Sequence, residues 1–243
     1  MSTTSEQPGR VRIDRAGSLL TFTLDNPDHG NEITGAMFDA MLAALRGPAA
    51  QASRVLRIRA EGPRFCVGRE RAGVDAASIR AEVARLVDLK RAIRESPLIS
   101  VAEVQGDALG FGFGLAIVSD FAIVAERAKL GFPEMLFGLA PLAIMAYLHE
   151  YALPRHAFPL VLLGEPIAAE RALQIGLVND VVPAPQLPAR VEALIEKLSA
   201  LDPDGVRACK EFFRIAREQP FEANARLAVD RLTVASLGLR RSP

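Results

Sequence analysis

Three short segments hold the residues whose types and spacing could do chemistry. The first, Gly106-Asp107-Ala108-Leu109-Gly110-Phe111-Gly112-Phe113-Gly114, lies between an apolar strand-like run and a helical one. Glycines there let the backbone approach a ligand closely, and a helix starting at that point offers free N–H donors with a favourable dipole. Gly110, Gly112 and Gly114 also spell GxGxG, a partial nucleotide fingerprint. The third glycine of GxGxxG is missing, and no acidic residue ends a second strand about 20 residues on. Close helix–strand packing would call for the same glycines. The second segment, Arg64-Phe65-Cys66-Val67-Gly68-Arg69, runs into a glycine-containing loop that can expose a further N–H. Taken singly it reads as an ordinary loop, with Cys66 a small core hydrophobe rather than a nucleophile. The third is Gly131-Phe132-Pro133-Glu134. A glutamate just after proline commonly complements the helix dipole in a first turn. Among Phe132, Met135, Leu136 and Phe137, however, its carboxylate would have a raised pKa and become a proton acceptor near neutral pH.

Alternating strands and helices must position these segments. Val11 and Ile13 alternate with charged residues, and LLTFTL follows Gly17, which reads as a hairpin. Asn26-Pro27-Asp28-His29-Gly30-Asn31 is a turn cluster. Thr34 is placed to cap a helix carrying Met37, Met41, Leu42 and Leu45. Val55–Arg59 reads as a strand. Residues 75–95 read as a helix with Ile79, Val83, Leu86, Val87, Leu89 and Ile93 on its apolar side. Leu98–Val104 is a strand, a helix is expected from Leu115 to about Asp120, and Phe121–Ala125 is another buried strand. After Pro141 the pattern is helical nearly to the end, over 142–151, 155–163, 168–174, 186–200, 203–217 and 220–236. The fold class is therefore α/β with a helical C-terminal appendage, divided as a core over 1–185 and a helical region over 186–243.

Composition narrows the partners. Lysine plus arginine and aspartate plus glutamate number 29 each among 243 residues, which removes any global argument for nucleic acid or a membrane surface. Cys66 and Cys209 are the only cysteines, and His29, His149 and His156 form no HxxxH pair, so no metal site is expected. Residues 1–10 show no apolar signal-peptide run, and no stretch reaches the roughly 20 apolar residues of a membrane span. A cytoplasmic protein is expected.

The segments, in this order, resemble the crotonase or enoyl-CoA hydratase/isomerase superfamily over about residues 18–185, with partial likeness in the tail. LTFTLDNPDHGNEIT resembles the family's opening strand and Asn-Ala-Leu turn, and RFCVGRE its Phe-Cys-Ala-Gly-Ala-Asp loop. VQGDALGFGFGLAIVSDFAI is similar to its Asn-Gly-x-Ala-Leu-Gly-Gly-Gly turn, LGFPEMLFGLAP to its Phe-x-x-Pro-Glu segment, and LGEPIAAERALQIGLVNDVVP to its later Gly-Leu-Val stretch. The resemblance implies a spiral of ββα turns with C-terminal helices used for trimerisation, as a homotrimer or dimer of trimers. It implies an acyl-CoA thioester as substrate, with no cofactor beyond the coenzyme A moiety. The oxyanion donors would be the backbone N–H groups of Arg69 and Phe111. Glu134 would be the acid/base, and His29, Gly30, Glu32, Cys66, Val67, Gly68, Glu70 and Gly112 would line the coenzyme A path.

Two departures from the family pattern bear on the reaction. Gly114 stands where hydratases carry their first catalytic glutamate, leaving Glu134 as the single carboxylate, a pattern similar to the Δ3,Δ2-enoyl-CoA isomerase branch. Phe111 replaces glycine and Arg69 replaces alanine, which would add bulk near the thioester. Phe111, Phe113, Leu115, Phe137 and Leu139 suggest an apolar acyl group. The expected activity is a double-bond shift from 3-enoyl- to 2-enoyl-CoA. The alternatives are hydration with a water held by Asp107 or Glu70, a hydrolase or decarboxylase reaction, acyl-CoA binding without catalysis, and, on the literal GxGxG reading, a dinucleotide-dependent oxidoreductase.

Overall fold

The computed structural model describes residues 9–239. The chain forms two compact units, Met1–Leu201 and Asp202–Pro243. In the first, β1 (Arg10–Ala16) and β2 (Leu19–Asp25) make the expected hairpin, paired from Arg10↔Asp25 to Ala16↔Leu19. α1 (Gly35–Arg46) begins at Thr34, whose hydroxyl accepts from the Met37 N–H at 3.3 Å. The short α2 (Pro48–Gln51) leads into β3 (Val55–Ala60). α3 (Ala76–Glu95) is held at its start by a capping box: the Asp75 carboxylate accepts from the Ser78 N–H at 2.8 Å, and the Ser78 hydroxyl accepts from the Asp75 N–H at 3.1 Å. β4 (Ile99–Val104), β5 (Ala108–Leu109), α4 (Phe111–Val118), β6 (Phe121–Ala125) and β7 (Lys129–Gly131) follow. A 3-10 turn over Pro133–Phe137 precedes α5 (Leu142–Leu148), α6 (Pro154–Leu163), β8 (Ile167–Ala168), α7 (Ala169–Gln174), β9 (Asp180–Val182) and α8 (Leu187–Ala200). The second unit holds α9 (Pro203–Ala216), capped by the Asp202 carboxylate, and α10 (Phe221–Leu239), with Arg231 on α10 donating to Glu211 on α9 at 2.9 Å.

The main sheet runs β1-β2-β3-β4-β6-β9 and is parallel from β2 onward; β5, β7 and β8 form a small second sheet. Parallel neighbours need crossover connections, which α1, α3 and α4 supply. Side chains that alternate along β4 and β6 feed two cores. Ala102, Val104, Ala122 and Val124 join the large core under α1, α3 and α4. Val101, Ile123 and Ala125 meet Leu187, Val191 and Ile195 of α8 on the other face. Both faces are covered, which is why these strands read as continuous apolar runs. α8, read from sequence as part of the C-terminal helical region, is thus packed on the sheet and belongs to the first unit, which ends at Leu201 rather than 185.

Two further readings of the sequence are corrected. α4 begins at Phe111, four positions before the expected Leu115, because Gly110 at φ 53° turns the chain into the helix and the remaining glycines continue inside it. The segment after Pro141 is not helical throughout: β8 and β9 interrupt it, and β9 pairs with β6 from Ile123↔Asp180 to Ala125↔Val182. Strands this short carry no periodic signal of their own; their partners define them. Among the described residues, no helix is long and apolar enough to cross a membrane.

Candidate active site

The two glycine loops are joined backbone to backbone. Cys66 bridges Ala108, the Leu109 N–H donates to the Cys66 carbonyl at 2.9 Å, and the Phe65 and Cys66 N–H groups donate to the Asp107 carbonyl at 3.1 and 3.2 Å. Gly112 lies so close to the Cys66 carbonyl that a Cβ would overlap it. The seam therefore requires glycine at that position for approach, whatever else the glycines do. It also fixes where the free N–H groups fall. Phe111 is the first residue of α4, a position whose N–H has no intrahelical acceptor. Arg69 pairs with Ile33 in an isolated parallel bridge through its neighbours, Ile33 N–H to Gly68 O at 3.2 Å and Glu70 N–H to Ile33 O at 3.0 Å. Such a bridge turns the N–H of Arg69 itself away from its partner. Neither N–H donates to a backbone acceptor among the described residues. These are the two donors expected from sequence, and they sit on loops that the seam holds together.

Glu134 reaches the same place from the 3-10 turn after β7. The Gly110 N–H donates to Gly131 O at 2.8 Å, tying that turn to the start of α4. Glu134 Oε1 lies 2.9 Å from where a Cβ on Gly110 would be, so position 110 has both a left-handed backbone and no room for a side chain. Oε2 is buried without a hydrogen-bond partner. Burial pushes the Glu134 carboxyl above its ordinary value; its own backbone N–H and the charges of Lys90, Arg71 and Arg69 pull it partly back. A desolvated carboxylate with an unpaired oxygen, beside an N–H that opens a helix, is suited to accept a proton.

Sequence reading passed over Lys90. It lies on the buried stripe of α3 with Leu86, Leu89 and Ile93 and is 4% exposed. The stripe itself carried the signal: a lysine at apolar spacing in a helix otherwise buried along that face. Nζ stands 5.1 Å from the Phe111 ring centroid and 5.2 Å from that of Tyr147. It also lies 2.5 Å from where a Cβ on Gly114 would be. Burial brings the Lys90 pKa down to about 7, opposed by the charge of Glu134 and a smaller effect of Cys66. Tyr147, on α5, donates its hydroxyl to Gly114 O at 3.3 Å.

Of the residues expected along the coenzyme A path, Gly30, Glu32, Val67 and Gly68 are laced together, whereas Cys66 and Gly112 are buried in the seam and do not face such a path. The Val67 N–H donates to Gly30 O at 3.0 Å, and Glu32 lies beside Gly68. His29 is exposed at the turn, its Nδ1 3.2 Å from Asn26 Oδ1. Glu70 is exposed and accepts from the Gly35 N–H at 3.4 Å. Cys66 is fully buried, its thiol directed at Gly68 O and pushed up to about 12 by burial. Gly112 is likewise enclosed in the seam. Asn31 locks the wall in place: it is 0% exposed, and its amide donates to the Glu61 and Arg64 carbonyls at 2.8 Å each while accepting from the Asn26 N–H at 2.8 Å.

The bulky replacements are accommodated by the fold. The Phe111 ring meets Phe38 edge-on at 5.0 Å between centroids, and the Arg69 guanidinium donates to Glu82 Oε2 at 3.3 Å and to Glu70 O at 3.0 Å. Phe113 and Leu115, expected to face an acyl chain, are 0% exposed in the core, where Phe113 stacks on Phe132 at 5.1 Å. Phe137 and Leu139 are exposed. Asp107 Oδ1 accepts from the Lys129 N–H at 2.9 Å.

The family model for enoyl-CoA hydratase/isomerase matches residues 14–235. The probable enoyl-CoA hydratase echA6 of Mycobacterium tuberculosis is 29% identical over 173 residues, covering 70% of each chain. The enoyl-CoA isomerase/hydratase fer4 of Mycosarcoma maydis is 28% identical over 201 residues, covering 77% of this chain and 73% of its own. A putative enoyl-CoA hydratase from Thermobifida fusca YX, solved in complex with CoA, matches with a TM-score of 0.88 at 27% identity, over 96% of this chain and 95% of that one. With the two-loop seam, the helix-opening N–H and the Pro-Glu turn all in place, the chain belongs to the enoyl-CoA hydratase/isomerase family, in the crotonase superfamily.

Proposed function

We propose that the protein is an acyl-CoA isomerase that shifts a double bond from the 3- to the 2-position of an enoyl-CoA. The observation that carries this reading is the single carboxylate at the site. Glu134 has a buried, unpartnered oxygen beside Gly110, and by the resemblance of the glycine-rich turn to the family pattern Gly114 stands in the place of a second glutamate. Concerted hydration uses two carboxylates, whereas moving one proton between two carbons needs one. Glu134 removes a proton from C2. The negative charge that develops on the thioester oxygen is met by the N–H groups of Arg69 and Phe111, and the carboxylic acid returns the proton to C4. Removing one such donor typically costs about 3–4 kcal/mol of transition-state stabilisation. The shuttle draws on no cofactor beyond the coenzyme A moiety of the substrate, for which His29, Gly30, Glu32, Val67, Gly68 and Glu70 form the wall.

Support for an acyl-CoA ligand comes from the CoA-bound relative of the same fold. Hydration is the second reading, favoured by the hydratase name of the Mycobacterium relative. Incubation with 3-hexenoyl-CoA and, separately, with crotonyl-CoA decides between them. A conjugated isomer of unchanged mass from the first supports isomerisation; addition of one water to the second supports hydration, and with no isomer from the first it removes the isomerase reading. Assembly as a homotrimer or dimer of trimers belongs to the same proposal. Leu136, Phe137, Leu142 and Leu153 are between 62% and 75% exposed in the first unit, an apolar surface that a further copy would cover. Light scattering of the purified chain tests it.

A further inference from the structure

Among the described residues, Lys90 is the only basic side chain in the buried set. A buried ammonium is expensive unless something faces it. Here the Phe111 and Tyr147 rings lie 5.1 and 5.2 Å from Nζ, distances at which aromatic faces attract a cation. Glu134, whose Oε2 lacks a partner, supplies the opposing charge. Room for Nζ exists because position 114 has no side chain. Phe111 has two parts in this: its N–H opens α4 and its ring lies beside Nζ.

We propose that Lys90 is the second charged group of the site: its ammonium, held between Phe111 and Tyr147 in the space left by Gly114, keeps Glu134 as a carboxylate and then faces the enolate. This rests on the proton-shuttling reading of Glu134. When the C2–H bond breaks, the proton goes to Glu134 and the electron pair spreads to the thioester oxygen. The negative charge leaves the carboxylate and appears on the substrate, so the ammonium faces an anion before and after the step. Lys90 is a positioning residue in this scheme; it exchanges no proton with substrate.

The groups that face Lys90 make the idea testable by pH. They are Glu134 on the 3-10 turn, Cys66 after β3 and Tyr147 on α5; Arg94 on α3 lies 6.0 Å from the Tyr147 ring centroid and is bound to Glu150. Arg69 and Arg71 act on Glu134 rather than on Lys90. Burial pushes the Cys66 and Tyr147 protons up, so both groups stay neutral while Lys90 titrates near 7.

The experiment compares wild type, Lys90→Met and Lys90→Arg with 3-hexenoyl-CoA in deuterated buffer across pH, reading deuterium uptake at C2 and formation of the conjugated isomer. Melting temperature and calorimetric affinity for the CoA ester establish that each variant is folded and binds. Wild type is expected to lose activity on the alkaline side as Lys90 gives up its proton. Lys90→Met should be slower by ~100-fold, the scale of one lost electrostatic contact. It should lack the alkaline limb, and its acid limb should move to higher pH as Glu134 loses its cation. Lys90→Arg should recover part of the rate and hold it at alkaline pH. A folded Lys90→Met protein with the wild-type rate, or with a lower rate and an unchanged pH profile, overturns the role of Lys90 while leaving that of Glu134 intact. A wild type that neither exchanges nor isomerises overturns both.

Discussion

Lys90 and Gly114 occupy one space. A Cβ on Gly114 would lie 2.5 Å from Lys90 Nζ and 3.0 Å from the Tyr147 hydroxyl, so a side chain at 114 would push the lysine head from where it stands. The place at which the family pattern puts a carboxylate is thus filled from α3, by a group of opposite charge.

A double-mutant cycle follows from that exclusion. Gly114→Ala should displace Nζ and slow turnover about tenfold, a loss of ~1.4 kcal/mol. Its effect on stability should stay within about 1 kcal/mol, since alanine is favoured over glycine inside a helix by nearly that amount. In a Lys90→Met background, where the side chain ends one atom short, the alanine should slow turnover little further. Turnover and melting of the four proteins check this; additive effects on turnover would mean that the two positions do not share the space.

Glu134→Gln should separate chemistry from folding. Turnover is expected to fall by ~10²–10⁴, the usual contribution of a positioned acid/base group, with affinity for a CoA ester nearly unchanged. Stability should rise above about pH 7, where Lys90 is neutral in the fold. Burial raises the Glu134 carboxyl in the folded chain, so ionisation is easier unfolded and the charged group weakens the fold above its folded pKa. An amide removes that penalty. Thermal melts on the alkaline side of about pH 7, where Lys90 is neutral in the fold and uses no opposing charge, should show the variant at a higher midpoint, and a lower midpoint there would contradict the assignment of Glu134 as a strained base.

Much of this site was legible in the sequence because it is built from backbone. Gly110 and Gly112 mark a left-handed turn and a close approach that no other residue satisfies, and Pro133-Glu134 marks a turn entry. The strands β2, β3, β4 and β6 declared themselves by apolar runs. What escaped detection depends on neighbours distant along the chain. Lys90 is an ordinary helix former whose meaning comes from Gly114, Phe111 and Tyr147 on other elements. The start of α4 was misplaced because glycines read as a loop, although here tertiary contact with Cys66 holds them helical. β9 is a strand through its pairing with β6, and α8 is a core helix through the second face of the sheet.

Asn31 gives a prediction about the wall rather than the chemistry. It adopts φ 58° and satisfies two carbonyls and one N–H that are otherwise enclosed. Asn31→Ala leaves those groups unpaired, each loss counting for about 1–3 kcal/mol, and places a Cβ residue without a polar arm in a left-handed conformation. A destabilisation on the order of 3 kcal/mol is expected in denaturant melts. Because the turn carries His29 and Gly30, affinity for coenzyme A esters should weaken in the protein that remains folded.

The burial of Lys90 also predicts how stability depends on pH. Its pKa falls from the ordinary 10.5 to about 7 on folding, so the unfolded chain holds that proton more tightly. Below about 7 both states are protonated and the fold carries the whole penalty. Between about 7 and 10.5 the folded amine is neutral while the unfolded one is still charged, so the penalty shrinks as pH rises and is gone above 10.5. At about 1.4 kcal/mol per pH unit the full effect is on the order of 5 kcal/mol. Lys90→Met removes it, replacing a buried charge with an apolar chain of similar bulk. The variant should therefore melt several degrees above wild type at acid and neutral pH, with the two curves converging on the alkaline side. A constant gap across pH would show that Lys90 does not change its protonation on folding; a variant less stable than wild type at low pH would show that the ammonium is better compensated in the fold than two rings and one carboxylate account for.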